Sequence, residues 1–153
     1  QKVQALPRES RSAAWQKGSK HWPSDVQLAY DHLKSKMSDK GIVGVVGASC
    51  GGSQAIILAE NNPVNLIGFF SSGQPDENIT RYKKMLADKP TLIIASEMDT
   101  GTYLSAQKLF TASESMNSKF IAYKGSAHGY PLLDSDTQLA SYMVSWLDSN
   151  LVK

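Results

Sequence analysis

Ser49 sits in the stretch Gly47-Ala48-Ser49-Cys50-Gly51, directly after the apolar run Ile42-Val43-Gly44-Val45-Val46. A strand that turns sharply into a helix holds the residue at the turn in a strained backbone conformation. Its neighbours two positions away must be small if strand and helix are to pack closely. Gly52 and the helix-prone residues 53–60 complete a strand, turn and helix, the setting in which a serine hydroxyl serves as a nucleophile.

A serine hydroxyl attacks poorly without a base, and the base needs a group that orients it. Three histidines are available. His21 adjoins Trp22 and Pro23 in an irregular stretch, and His32 lies in a polar helical segment. His128 lies in Gly125-Ser126-Ala127-His128-Gly129, just past the strand-like Phe120-Ile121-Ala122-Tyr123, and is the best placed. Between serine and histidine, Pro90-Thr91-Leu92-Ile93-Ile94-Ala95 reads as an apolar strand. The polar loop after it holds two carboxylates, Glu97 and Asp99. Asp99 is the expected orienting acid, with Glu97 its rival.

Two other chemistries are weighed at the same turn. A phosphate-binding strand-turn-helix would need a lysine that this stretch lacks. A cysteine nucleophile at Cys50 would put alanine where glycine is preferred and leave Gly47 without a role, so Cys50 is expected to be a small packed residue.

The order Ser49, Asp99, His128, each just past a predicted parallel strand, resembles the α/β-hydrolase family from about Trp22 to the end of the chain. The likeness is nearest to the dienelactone-hydrolase-like and small-esterase branches, in residues 25–52, 92–102 and 123–133. It implies a reduced α/β-hydrolase fold and a serine hydrolase cleaving small carboxylic esters or related acyl compounds through an acyl-enzyme. Ser49 would attack, His128 would carry the proton and Asp99 would hold the imidazole, with the Cys50 backbone N–H as one oxyanion donor. No cofactor or metal is implied. The resemblance is to the C-terminal half of the fold, with the N-terminal strands missing. Members carry about four strands before the elbow strand, and a loop among them supplies a second oxyanion N–H. Residues 1–24 hold Gly18 and His21 but no apolar strand run. The alternative reading is therefore a non-catalytic or weakly active hydrolase-like domain, a fragment or interaction module with an incomplete oxyanion hole.

The elements that must position these residues follow from periodicity. Residues 1–23 are polar, with Pro7 and scattered Arg and Lys, and read as an extended N-terminal arm; residues 24–153 form the hydrolase-like domain. Ser24 is the expected N-cap of a helix running to about residue 38, closed by Asp39-Lys40-Gly41. Strands are predicted at 42–46, 66–70, 91–95 and 119–123, and helices at 51–61, 77–86, 102–115 and 135–151. Apolar strands alternating with helices imply an α/β fold, a three-layer parallel sheet of about four strands in sequential order. Right-handed crossovers put the intervening helices on one face and leave the other to the closing helix. The strand at 42–46 then lies at an edge, through which a homodimer or a partner fragment could pair.

One domain suits 153 residues with 41% hydrophobic and 20% charged composition. A net charge of +2, from 16 basic and 14 acidic residues without long runs, gives nucleic-acid binding no support and leaves a small acyl compound as the expected partner. No apolar stretch is long enough for a membrane span. A single cysteine excludes an intrachain disulfide and leaves the compartment, cytoplasmic or exported, open.

Overall fold

The computed structural model of the chain describes residues 7–38 and 41–151. They fall into two compact units, one ending at Gly41 and one beginning at Ile42.

The first unit holds two helices, α1 (Arg8–Ser19) and α2 (Trp22–Lys34). Where the sequence suggested an extended arm, α1 forms over a segment rich in helix-tolerant residues. None of its residues is buried, and its polar character all round hides it from periodicity. In α2 the chain enters the helix three residues earlier than an N-cap at Ser24 implied. Pro23 lies in the first turn, where its missing N–H costs nothing, and the Ser24 hydroxyl donates to the His21 carbonyl at 2.7 Å instead of capping. Trp15 and Trp22 pack edge to face with centroids 5.0 Å apart. The expected closure at Asp39-Lys40 lies outside the described residues.

The second unit is a four-stranded parallel sheet in the order β1-β2-β3-β4. Its strands are β1 (Gly44–Ala48), β2 (Leu66–Phe70), β3 (Thr91–Ser96) and β4 (Lys119–Tyr123). Crossovers are made by α3 (Gly51–Asn61), α4 (Asp76–Met85) and α5 (Thr100–Ala112), and the unit closes with α6 (Tyr130–Ser135) and α7 (Leu139–Leu151). The pairs Gly44↔Leu66, Ile67↔Thr91 and Leu92↔Lys119 set the register.

Alternation along the central strands divides the core. Ile67, Phe69, Ile93 and Ala95 face one way and join Ala55 and Ile56 of α3, Tyr82 of α4, and Ala106 and Leu109 of α5. Leu66, Phe70, Leu92 and Ile94 face the other way and join Leu132 of α6 with Leu139 and Trp146 of α7. Both central strands are buried throughout, as a sheet covered on two sides requires.

Several boundaries moved: β1 ends at Ala48 instead of 46, and α5 runs over Thr100–Ala112 instead of 102–115. The β1 ladder begins two residues later than predicted because Val43 is held outside it by Asn65, whose side chain accepts from the Val43 N–H at 3.0 Å. The closing helix, α7, begins at Leu139 instead of 135 and is preceded by α6, which was not predicted; between them Asp136 leaves helical geometry and its Oδ1 accepts the Gln138 N–H at 2.9 Å. The same carboxylate accepts the Tyr123 hydroxyl at 2.6 Å, tying the break to the end of β4. No helix of the described residues is long and apolar enough to cross a membrane.

Candidate active site

All three chemistry-bearing residues follow strand ends on one side of the sheet. Ser49 immediately follows β1 with φ +50°, a left-handed conformation for a residue that carries a Cβ. Its N–H donates to the Phe70 carbonyl at 2.9 Å, extending the β1–β2 ladder by one step, while the next residues open α3.

Steric need explains the glycines, though not as the motif suggests. A Cβ on Gly47 would overlap the backbone of Gly51 and Gly52, so strand and helix can meet only if residue 47 is glycine. A Cβ on Gly51 would meet nothing within 4 Å. The crowded position is Gly52, where a Cβ would collide with Ser72 Oγ and lie 2.7 Å from Gln74 Nε2.

Asp99 occupies the N-cap position of α5, where an aspartate ordinarily accepts from the helix's first N–H groups. Here it makes no such bond. Its Oδ2 lies 2.6 Å from His128 Nδ1, and His128 Nε2 lies 3.0 Å from Ser49 Oγ. An ionised carboxylate can only accept, so Nδ1 carries the proton and Nε2 is left to accept the Ser49 hydroxyl. Glu97, the rival carboxylate, is exposed, its N–H bonded to the Tyr123 carbonyl. The His128 loop is fastened from beneath: Ser96 Oγ, at the end of β3, donates to the Ala127 carbonyl at 2.6 Å. Gly129 follows with φ +70° and starts α6. The His128 side chain is 44% exposed and Asp99's is 24% exposed, so the group opens to solvent on the histidine side.

Cys50, expected to be packed, is exposed at the N-cap position of α3. The turn that presents Ser49 to the histidine carries the next side chain outward. No acceptor among the described residues takes the Cys50 N–H. His21 is the N-cap residue of α2 and His32 lies in its last turn. Among the described residues, no group of three or more His, Cys, Asp and Glu could hold a metal ion.

Ser72, Gln74 and Ser96 were not singled out in the sequence. Ser72 Oγ donates to the Ser49 carbonyl at 2.5 Å and accepts from Gln74 Nε2 at 2.7 Å. Gln74 Oε1 accepts from Ser53 Oγ at 3.0 Å and from Asn78 Nδ2 at 2.8 Å, and the Gln74 N–H donates to Ser105 Oγ at 2.6 Å.

The model of the dienelactone hydrolase family matches residues 4–145. This chain belongs to that family. The match begins well before Trp22 and takes in the segment read as an arm. Solved structures with the same fold include MenH from S. aureus, with TM-score 0.65 and 16% identity over 84% of this chain and 76% of that one. A dienelactone hydrolase from Anabaena variabilis ATCC 29413 has TM-score 0.60 and 20% identity over 72% of this chain, which spans 50% of that protein. An esterase domain from a Rhodothermus marinus protein has TM-score 0.66 and 14% identity, covering 85% and 69% of the two chains. Among curated proteins none matches. The second unit therefore has a four-stranded α/β-hydrolase sheet, the fold of the dienelactone hydrolase family and of these structural neighbours.

Proposed function

We propose that the chain is a serine hydrolase of small carboxylic esters or related acyl compounds, with Ser49 as nucleophile, His128 as general base and Asp99 as its orienting acid. The supporting observation is the continuous chain from Asp99 through His128 to Ser49, at 2.6 and 3.0 Å, built from three separate strand ends. His128 Nε2 takes the hydroxyl proton as Ser49 Oγ attacks the acyl carbonyl, and returns it to the departing alkoxide. Asp99 stabilises the transient imidazolium. Water, deprotonated by the same nitrogen, then releases the acid and restores the serine. The Cys50 N–H, at the positive end of α3, is the oxyanion donor this chain supplies.

Hydrolysis of p-nitrophenyl acetate and butyrate tests this. Ser49→Ala and His128→Ala should each lower kcat by about 10⁴- to 10⁶-fold. Asp99→Asn, which strands the imidazole in the wrong tautomer, should lower kcat by about 10³- to 10⁴-fold. A Ser49→Ala variant whose kcat stays within about tenfold of the full chain refutes the assignment.

A second reading, of a weakly active domain completed by another polypeptide or a second copy, is favoured by the open edge of β1. That strand pairs on one side only, and Val46 is 43% exposed. Light scattering during size-exclusion should then show a dimer, or activity should rise on adding the partner segment. A monomer of full activity contradicts it.

A further inference from the structure

We propose that Ser72, with its proton directed by Gln74, is a positioning residue that aims and polarises the peptide unit between Ser49 and Cys50. The proposal rests on the reading of Ser49 as nucleophile and of the Cys50 N–H as oxyanion donor.

The Ser49 carbonyl and the Cys50 N–H are the two ends of one planar, trans peptide. A group that pins the carbonyl on one side therefore fixes the direction of the N–H on the other. Ser72 Oγ does this at 2.5 Å, and the Gly52 N–H adds a longer bond to the same oxygen at 3.2 Å. Gln74 Nε2 can only donate, so it occupies a lone pair of Ser72 Oγ and commits the hydroxyl proton to the Ser49 carbonyl. Gln74 is itself prevented from turning over. Its Oε1 faces two donors, from Ser53 and Asn78, and an amide flip would set its NH₂ against them. Each bond in the relay increases the polarisation of the next, and the N–H at its end becomes a stronger donor.

Two further observations single out this cluster. Ser72 is 2% exposed and Gln74 7%, so the relay is built inside the unit and shielded from competing water. Ser71, which precedes Ser72, has φ +45° and lies next to Ser49 in the strand register that pairs Ala48 with Phe70. Two adjacent strands thus end in left-handed, non-glycine residues, and the second turn swings Ser72 under the carbonyl of the first. Strain of this kind persists only where the surroundings enforce it. The space comes from Gly52, since any side chain there would displace Ser72 Oγ.

A fluorophosphonate reports on this peptide directly, because its phosphoryl oxygen takes the place of the oxyanion while Ser49 Oγ displaces fluoride. The rate constant of phosphonylation and the half-saturating concentration are measured for the full chain, for Ser72→Ala and for Ser118→Ala. Ser118 Oγ accepts the Thr91 N–H at 3.0 Å and bonds Ser113 Oγ at 2.6 Å, at the opposite end of the sheet, so its loss matches the damage to buried hydrogen bonding without touching Ser49. Ser72→Ala should slow phosphonylation by about 10- to 100-fold at unchanged half-saturation, while Ser118→Ala keeps the full rate at a similarly lowered Tm. Ser72→Cys, a shape-preserving weak donor, should recover part of the rate. Equal rates for the full chain and Ser72→Ala, or equal slowing in Ser72→Ala and Ser118→Ala, overturn the positioning role and leave Ser49 as nucleophile. A full chain that does not react removes both.

Discussion

Gly51 and Gly52 open α3 side by side, and replacing each with alanine should move stability in opposite directions. Helix propensity and unfolded-state entropy treat the two alike, favouring alanine by about 0.4–1 kcal/mol. At Gly51 nothing opposes that gain, because the new methyl meets open space. At Gly52 the methyl would sit 2.9 Å from Ser72 Cβ, and carbon atoms need about 3.5–4.0 Å, so Ser72 must retreat by roughly 0.6–1.1 Å. Ser72 has no free direction, being bonded to both the Ser49 carbonyl and Gln74. Overpacking of this size costs about 1–3 kcal/mol, and the lost bond to the carbonyl about 0.5–1.5 kcal/mol. Gly52→Ala is therefore expected to destabilise by about 2 kcal/mol after the entropic gain. The two variants should differ by about 3 kcal/mol, or roughly 6–12 °C in Tm for a chain of this length. Urea melts at fixed temperature, with Tm as a cross-check, measure the difference. Two variants of equal stability would refute the close approach of Ser72 to the start of α3, and with it the steric account of this turn.

Two more expectations concern stability. Ser71→Gly should stabilise the protein by about 1 kcal/mol, because the native φ of +45° suits glycine and the buried Ser71 Oγ has no hydrogen-bond partner; a loss of stability in urea melts would contradict this. Burial, followed by the hydrogen bond to Asp136 and its charge, pushes the Tyr123 hydroxyl from 10.0 up to about 12. The unfolded chain thus gives up this proton first, and the contribution of Tyr123 is intact below pH 10.0 and lost as pH rises through about 12. Tyr123→Phe should flatten that part of the alkaline slope in urea melts, and identical slopes would count against the assignment.

Much of the sheet is legible in the sequence because its signals are local. The strands at 66–70 and 119–123 and the helix at 51–61 coincide with β2, β4 and α3, each an apolar run or periodic segment bounded by turn residues. Ser49, Asp99 and His128 stand out for the same reason: each follows an apolar run in a short polar or glycine-rich loop. What the pattern misses is set by distant partners. The start of β1 depends on Asn65, and the break between α6 and α7 depends on Asp136 answering both Gln138 and Tyr123. The cluster of Ser72, Gln74, Asn78 and Ser105 has no periodicity, and nothing local marks its small polar residues as one hydrogen-bonded unit. Its one trace is the second glycine of the Gly51-Gly52 pair, which the motif does not require and the packing does.

The central claim is that the hydroxyl at position 49 is a nucleophile driven by His128, and covalent trapping tests it most directly. After incubation with a fluorophosphonate, peptide mass mapping should find one phosphonyl adduct, on Ser49. Labelling should vanish in Ser49→Ala and fall by at least about 10³-fold in His128→Ala. An adduct on Cys50 or elsewhere, or labelling of Ser49 at an undiminished rate without His128, would contradict the account.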